Sequence, residues 1–318
     1  MTGIVIATRG SALALRQTEI IADLLRSAYP EIDIEISTVT TRGDADDRSF
    51  AEIGVTSLFA AAVEERLIDG RADIAVHSAK DVTTVLAPGC TIVCIPSRAE
   101  PHDVVIGGTG DTGEQRLGSL SDGATVGTSS MRRRAQIAAE RPDLNLVEFR
   151  GNLDTRMRRV ASGEVDAAVV AAAGLARLGA ADPAAGALDP EWWIPAPGQG
   201  ALLVEARSDR ADLHDLFEGL GNPASTAEVA AERAFAATLE GGCSVPLGCL
   251  ARSTGASLIV TGYLGAPDGT FALRDRISGH ISEAASLGRE LAEAILGSGG
   301  DEILADVRAA ATVPPAEP

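Results

Sequence analysis

A length of 318 residues allows two domains of ordinary size or three small ones. The net charge of −18 argues against bulk binding of nucleic acid, which requires a basic surface to neutralise phosphates. A hydrophobic content of 45% is that of an ordinary globular protein, and with only 3% aromatic residues its cores must be built from Ala, Val, Leu and Ile.

The cysteines and the N-terminus predict a reduced cytoplasmic protein with no metal site and no membrane partner. The cysteines form neither a paired zinc pattern nor a disulfide-dense scaffold, and the few histidines are scattered. The first residues, MTGIVIATRG, lack the basic and apolar regions of a signal peptide. No apolar run reaches the length that a bilayer requires.

Short β-branched runs alternate with helical periods over the first part of the chain, which is typical of an α/β domain. The predicted strands are GIVIAT (3–8), IDIEISTVT (32–40) and DIAVHS (73–78). The predicted helices cover 11–28, capped by Ser11, and 56–68.

The same alternation returns from residue 103. Strands are predicted at 104–108, 124–129, 144–149 and 166–174, with helices at 130–140 and from Leu153. Two consecutive α/β units of similar length predict two similar domains with a cleft between them.

The last part of the chain reads as a smaller α+β unit. A strand in PAPGQGALLVEAR (195–207) precedes a helix over 221–240, with Asn222 as its N-cap and Pro223 in its first position. A hairpin around the APDG turn (266–269) and a final helix near 281–296 follow. The predicted boundaries are 1–98 with 199–219 for domain 1, 103–194 for domain 2, 222–311 for domain 3 and 312–318 for a disordered tail.

Arginines are concentrated between residues 132 and 177 of this acidic chain, and guanidinium groups match carboxylates and phosphates. Ser129 and Ser130 precede a helix N-terminus, and Arg150 follows a strand, which are places where α/β domains bind anions. A ligand contact is predicted for Arg132, Arg133, Arg150 and Arg156. Local ion pairs on helix faces are predicted for Arg134, Arg141, Arg158 and Arg159. The ligand would be a small polyanion.

The only lysine of the chain, Lys80, stands in ADIAVHSAKDV beside Asp81, at the end of a predicted strand. This arrangement is either a surface ion pair or a cation and a carboxylate aimed into the cleft. IATRGSALAL adds Arg9 and Ser11 at another strand end that leads into a helix. His77 is predicted to be structural.

Cys243 follows two glycines in EGGCSVPLGC, which presents its side chain from a loop. It is either a reactive thiol or a small buried hydrophobe. The other cysteines, Cys90, Cys94 and Cys249, lie in strand-like runs and are predicted to be core residues. Two further hypotheses therefore stay open from the residues alone: a binding module for an anion, and an enzyme that uses Cys243 as a nucleophile with His77.

Several motifs occur in an order that resembles the porphobilinogen deaminase (hydroxymethylbilane synthase) family. They extend from about residue 3 to about residue 310 and read IATRGSALAL, VTTRGD, ADIAVHSAKDV, VGTSSMRR, FRGNLDTR, AAAGLARLG, PAPGQGA and AERAFAATLEGGCSVPLG. The resemblance implies an enzyme that joins four porphobilinogen molecules head to tail on a covalently bound dipyrromethane. It would release ammonia and then linear hydroxymethylbilane.

The resemblance also implies two α/β domains like type II periplasmic binding proteins, a small α+β C-terminal domain and a monomer. The family cysteine that carries dipyrromethane through a thioether matches Cys243. Further cofactor contacts are implied for Ser11, Lys80, Asp81, Ser129, Arg132 and Arg133. Substrate contacts are implied for Arg9, Arg150, Arg156, Arg177, Gln199 and Phe59.

Within this set, the resemblance implies direct roles in catalysis for Asp81, Lys80, Arg9, Arg150 and Arg156. Asp81 would contact pyrrole N–H groups and stabilise the cationic species formed when ammonia leaves. Gly198 and Gly200 would form a hinge. The chain departs from the family in the segment AEIGVTSLF, where Glu52 and Thr56 replace common lysines and Phe59 is retained.

Overall fold

The computed structural model describes residues 3–39, 58–180, 185–240 and 245–312. These residues form three β-sheets, of five, five and three strands, with helices packed against them. The predicted fold class, two periplasmic-binding-protein-like α/β domains plus a small α+β C-terminal domain, is confirmed. The tail predicted to be disordered lies outside the described residues, apart from Thr312, which ends the last helix.

The first domain contains a sheet in the order β2-β1-β3-β10-β4. Its strands are β1 (Gly3–Arg9), β2 (Asp33–Val39), β3 (Ile74–Ser78), β4 (Cys90–Cys94) and β10 (Leu202–Arg207). Its helices are α1 (Ala12–Ala28), α2 (Leu58–Ile68) and α7 (Ala211–Phe217). The apolar face of α1 buries Ile21 and Leu25 against Ile4 and Ile6 of the sheet, because its apolar residues recur at helical spacing.

The second domain contains a sheet in the order β7-β6-β8-β5-β9. Its strands are β5 (Asp103–Gly107), β6 (Thr125–Gly127), β7 (Asn145–Val147), β8 (Ala167–Ala171) and β9 (Ala185–Ala187). Its helices are α3 (Gly113–Gly118), α4 (Met131–Glu140), α5 (Leu153–Ala161) and α6 (Ala172–Arg177). Trp193, which is fully buried, closes the core formed by β5, β6 and α4.

The two sheets share one topology. In each, three parallel strands are followed by an antiparallel strand and then by an edge strand. The antiparallel strand is in both cases the one that enters from the other domain: β5 on the way out of the first domain, and β10 on the way back. The chain therefore crosses between the domains twice, over residues 95–102 and 194–201.

The third domain packs one face of a meander sheet against three helices. The strands are β11 (Leu247–Thr254), β12 (Ser257–Gly265) and β13 (Ala272–His280). The helices are α8 (Pro223–Thr238), α9 (Ala284–Ile295) and α10 (Asp301–Thr312). Asn222 caps α8 and Pro223 begins it, as the sequence predicts. Across the described part of the chain, no helix combines the length and the apolar character needed to cross a bilayer.

A buried carboxylate joins the third domain to both crossing segments. Glu232 of α8 accepts hydrogen bonds from Arg98 at 2.7 and 3.0 Å and from the Gly198 amide at 2.6 Å. It also accepts one from the Ala251 amide at 2.8 Å. Because Arg98 lies on the outgoing segment and Gly198 on the returning one, α8 holds the two together.

The structure differs from the sequence prediction at the end of β8. The predicted strand over 166–174 stops at Ala171, because its partner β5 begins there with Asp103, and Ala172–Arg177 form a helix instead. A run of Ala and Val carries no signal for that change. The remaining elements that the sequence did not predict are α3, α7, α10 and β9.

Candidate active site

The site centres on the turn after β3, which carries Lys80 and Asp81. Ala79 of this turn donates its amide to Ala201 of the returning segment at 3.0 Å. Gly198 has a φ of 74°, and a side chain there would lie 3.0 Å from Ala79 and from the Lys80 amide. A glycine is therefore needed at this position for the turn and the returning segment to pack.

Lys80 is half-buried and lies near several charges. Its Nζ donates to Oε1 of Gln199 at 3.4 Å. Burial lowers the pKa of Lys80 to about 8, an effect that the charge of Asp81 opposes and that of Arg133 reinforces. Asp81 is exposed at the mouth of the site.

The first domain contributes one wall of a cavity. Ser11 caps α1 by accepting a hydrogen bond from the Ala14 amide at 3.3 Å. Gln17, which the sequence did not single out, donates to Oγ of Ser78 at 2.8 Å. The cavity is lined by Arg9, Ser11, Gln17, His77, Ser78 and Asp81 among others. The structure thus brings Arg9, Ser11 and Asp81 to one cavity.

The second domain faces this wall with the N-terminus of α4. Ser130 caps the helix by accepting a hydrogen bond from the Arg133 amide at 3.4 Å. The hydroxyl of Ser129 accepts one from the Phe149 amide at 3.0 Å and so joins the segments that follow β6 and β7. Both serines lie at the carboxyl ends of parallel strands, where ligands of α/β sheets bind.

Arg132 and Arg133 are buried and share one counter-ion, Asp103. Nη2 of Arg132 lies 2.8 Å from one Asp103 oxygen, and Nη2 of Arg133 lies 2.6 Å from the other. Their Nη1 atoms donate to the carbonyls of Ile194 and Val169 at 2.8 and 2.9 Å. Within the described residues the Nε atom of each arginine is buried and has no hydrogen-bond partner.

Arg156 of α5 lies beside the same charges. Burial and, to a smaller extent, the charge of Arg133 lower its pKa to about 10, while the charge of Asp81 opposes the shift. Its Nε donates to the Gly151 carbonyl at 2.9 Å. Arg156 of the second domain therefore lies near Asp81 of the first, with Arg133 also close to Arg156.

Two more arginines of the predicted set contact neighbouring segments. Arg150 contacts Glu148, with Nε 2.8 Å from the carboxylate. Arg177 donates from Nη2 to the Gly200 carbonyl of the returning segment at 2.6 Å, and burial lowers its pKa. Both are half-buried.

Three of the four arginines predicted to make local ion pairs do so, and the fourth, Arg134, contacts a carbonyl instead. Arg141 contacts Asp143 at 2.6 Å, Arg158 lies 3.6 Å from Asp154, and Arg159 pairs with Glu164. Arg134 donates to the Leu146 carbonyl at 3.1 Å.

His77 is structural in the manner predicted, since it is buried and its Nε2 lies 3.2 Å from the buried carboxylate of Glu205. Cys94 and Cys249 are buried core residues and Cys90 is half-buried. No group of side chains in the described ranges could hold a metal ion. Cys243, Glu52, Thr56 and the side chain of Phe59 lie outside the described residues.

Two family models match the chain. One, described as "Porphobilinogen deaminase, dipyromethane cofactor binding domain", covers residues 4–215, and the other, the porphobilinogen deaminase C-terminal domain, covers 226–297. The chain belongs to the porphobilinogen deaminase family. A family member from Roseiflexus castenholzii is 46% identical over 94% of this chain and 98% of its own, and one from Thermus thermophilus is 43% identical over 97% and 100%.

Among solved structures, the VFT2 domain of Bordetella pertussis BvgS aligns with a TM-score of 0.42 and 16% identity, over 71% of this chain and 91% of that domain. The porphobilinogen deaminase family match gives the site its ligand class, because the matched model is a dipyrromethane-binding domain. The residues fit such a group, which carries several carboxylates. Within the described part of the protein, the Nε atoms of Arg132 and Arg133 are buried donors without an acceptor, and a ligand carboxylate could supply one.

Proposed function

We propose that the protein is a hydroxymethylbilane synthase, which condenses four porphobilinogen molecules stepwise onto a covalently bound dipyrromethane. The supporting observation is that Lys80 of the first domain and Arg156 of the second lie near Asp81, and that Arg133 lies near both of these cations. A growing chain of pyrroles with acetate and propionate groups is a polyanion. Cations in excess of carboxylates are what such a chain requires.

The proposed contacts follow the family motifs. The dipyrromethane is bound through Cys243 and held by Ser11, Lys80, Asp81, Ser129, Arg132 and Arg133. The substrate is held by Arg9, Arg150, Arg156, Arg177, Gln199 and Phe59. The Nε atoms of Arg132 and Arg133 support this assignment, because they are buried donors with capacity for an added acceptor.

Asp81 is proposed to act on the charge that develops during each condensation. As the C–N bond of porphobilinogen breaks and ammonia leaves, positive charge forms on the pyrrole and its methylene. The methylene carbon then bonds to the free α-carbon of the terminal ring, which becomes cationic and loses its proton. A carboxylate beside the pyrrole N–H groups stabilises both cations. Release of the linear product would break the bond between the first ring's methylene and the dipyrromethane, return a proton to the dipyrromethane carbon, and add the hydroxyl of water to that methylene.

The cations around Asp81 are proposed to position the pyrrole rings beside its carboxylate. Lys80 and Arg156 bind the carboxylates of the rings and so place the pyrroles against Asp81. The dipyrromethane supplies, when bound, the pyrrole to which the first substrate is joined. Cys243 anchors it from a loop that two glycines precede.

Intact-protein mass spectrometry tests the proposed function. Protein purified without added substrate should carry the mass of two linked pyrroles on Cys243 and should consume porphobilinogen with release of ammonia. Cys243→Ser should lose the added mass and the turnover. Cys90→Ser, which changes a half-buried thiol of β4, is the matched control and should keep both.

Unmodified, folded wild-type protein that consumes no porphobilinogen would contradict the proposal and support a binding module. An acyl adduct on Cys243 in place of pyrroles would support a hydrolase. Each outcome is read from the same mass spectrum and one assay.

We further propose that the protein is a cytoplasmic monomer with porphobilinogen as its partner, and that it uses neither nucleic acid nor membrane. The net charge of −18 supports the first part of that exclusion. The proposed domain boundaries are 1–98 with 199–219, 103–194 and 222–311, in keeping with the strands of the three sheets. Light scattering on the purified chain should give a mass near 32.6 kDa, and a dimer mass would contradict the monomer.

A further inference from the structure

The carboxylate of Asp103 lies at the centre of the polar contacts between the domains. It is fully buried at the first position of β5. Besides Arg132 and Arg133, it accepts hydrogen bonds from Nε1 of Trp193 at 2.9 Å and from Nε2 of Gln199 at 2.9 Å. Each oxygen therefore receives one arginine and one neutral donor.

These four donors stabilise the charged form of Asp103. Burial alone would raise the pKa of its carboxyl, but the charges of Arg132 and Arg133 and the hydrogen bonds outweigh burial. The pKa of Asp103 consequently lies well below its usual value. The group is a permanent anion between two guanidinium groups.

Gln199 extends the network to the other domain. Its Nε2 donates to Asp103 and, at 2.6 Å, to the Pro101 carbonyl, while its Oε1 accepts from Nζ of Lys80 at 3.4 Å. Pro101 lies on the outgoing crossing and Gln199 on the returning one. Asp103 is thus joined through one amide to the cation beside Asp81.

We propose that Asp103 is a positioning residue: it fixes Arg132 and Arg133 as anion-binding groups and links them, through Gln199, to Lys80 across the domain boundary. This inference rests on the proposed function, in which those three cations hold carboxylates of the dipyrromethane on which the chain grows. Because the Nη2 atoms bind Asp103 and the Nη1 atoms bind backbone carbonyls, both guanidinium groups are fixed in place, and each keeps one Nε donor without a partner among the described residues.

A second buried carboxylate, Glu232, provides a control that distinguishes a positioning role from a general contribution to stability. Glu232 is also fully buried and also pairs with an arginine, Arg98, between domains. It does not contact Arg132, Arg133 or Gln199 through its side chain. Glu232→Gln therefore reproduces the loss of a buried charge without touching the proposed anion-binding groups.

The single lysine of the chain provides a direct readout. Protein as purified, labelled with 13C-lysine, gives one lysine side-chain signal, that of Lys80. The charges that face Lys80 are Asp81, Arg133, Asp103 and Arg132. In Asp103→Asn one of the two anions is removed, so the midpoint of the Lys80 titration should fall. In Glu232→Gln the midpoint should match wild type.

Steady-state kinetics give the second readout. Asp103→Asn should raise KM for porphobilinogen by about tenfold or more, the effect of losing one charged hydrogen bond in a binding group. Glu232→Gln should change stability in urea and leave KM within about threefold of wild type. Equal KM and an unchanged Lys80 titration in folded Asp103→Asn would overturn the inference.

Gln199→Met provides a test if Asp103→Asn does not fold. It leaves both ion pairs of Asp103 and removes the amide that joins them to Lys80, so the Lys80 signal should shift and its midpoint should fall. A Lys80 signal identical to wild type would overturn the inference. Wild-type protein without dipyrromethane or turnover would instead contradict the proposed function, which keeps the two failures distinct.

Discussion

Nζ of Lys80 lies 3.4 Å from Oε1 of Gln199, so the only lysine of the chain meets the segment by which the chain returns from the second domain. The same lysine is the cation of the turn Ala79–Asp81, directly before the carboxylate of Asp81. Its protonation state therefore bears directly on how the cleft holds an anion.

The pKa of Lys80 should lie well below that of an ordinary lysine when no ligand carboxylates are bound in the cleft. In Cys243→Ser the single 13C-lysine signal should titrate near pH 8, because burial and Arg133 disfavour the charged form. Carboxylates of a bound chain would raise the midpoint in wild type. The folded pKa lies below the unfolded value of 10.5, so protonated Lys80 lowers the free energy of unfolding at low pH. This cost falls as the pH rises from about 8 to 10.5, and the free energy of unfolding increases over that range. A midpoint near 10.5 in Cys243→Ser would contradict the burial described.

Replacing Lys80 by arginine tests whether charge alone suffices. The Lys80 ammonium lies 3.4 Å from Oε1 of Gln199, and a longer, planar guanidinium should not place its charge at the same point. Lys80→Arg should lose most of its turnover at pH 7. Full activity in Lys80→Arg would show that any cation serves.

Asp81→Ala should retain the dipyrromethane mass and lose turnover by a factor of about 10²–10³, the usual cost of removing one electrostatic group at the reacting centre. The proposed covalent bond at Cys243 should keep the dipyrromethane on the protein when the Asp81 contact is lost. Asp143→Ala, which removes an exposed carboxylate paired with Arg141, is the control. Comparable turnover in the two variants would remove Asp81 from its proposed role.

Arg150→Leu should block or slow chain growth, because one cation that holds the lengthening polyanion is lost. Mass spectra taken during turnover should show shorter pyrrole adducts accumulating on the protein. Arg158→Leu provides the matched control, since Arg158 is exposed and pairs with Asp154 on its own helix. The same distribution of adducts in both variants would count against the polyanion assignment.

Gly200→Ala should destabilise the protein more than Gly89→Ala. Both glycines have positive φ, 86° and 84°, so both substitutions carry a backbone cost of about 1–2 kcal/mol. A methyl group on Gly200 would in addition lie 2.3 Å from the Ala99 carbonyl oxygen, whereas Gly89 has open space around it. The difference in free energy of unfolding by urea measures that contact, and equal values would mean that the crossing segments separate readily.

Local signals in the sequence were sufficient for most of the fold. Ser11 and Asn222 cap the helices that they were predicted to cap, because capping depends on the residues of a single turn. The end of β8 could not be predicted in the same way. It is set by the register with Asp103, about seventy residues earlier in the chain, and by nothing in the Ala-rich run itself.

The site was predictable to the extent that motifs carry it. Arg9, Lys80, Asp81, Arg133 and Arg156 could be selected because they follow strand ends or belong to family motifs. Asp103 could not, since its partners Arg132, Trp193 and Gln199 come from three distant segments. The one available signal was an acidic residue directly before a run of buried apolar residues in DVVIG, which is unusual unless the charge is paired.

The order in which the strands are synthesised determines which of the two five-stranded sheets can form first during translation. β10 lies between β3 and β4, so the first sheet stays split until residues 202–207 have emerged. The second sheet is contiguous, from Asp103 to Ala187, and can close earlier. The first sheet should therefore remain incomplete, without β10, while the second sheet forms. A nascent chain arrested before residue 202 should be cleaved by protease within residues 3–94 and resist cleavage within 103–187.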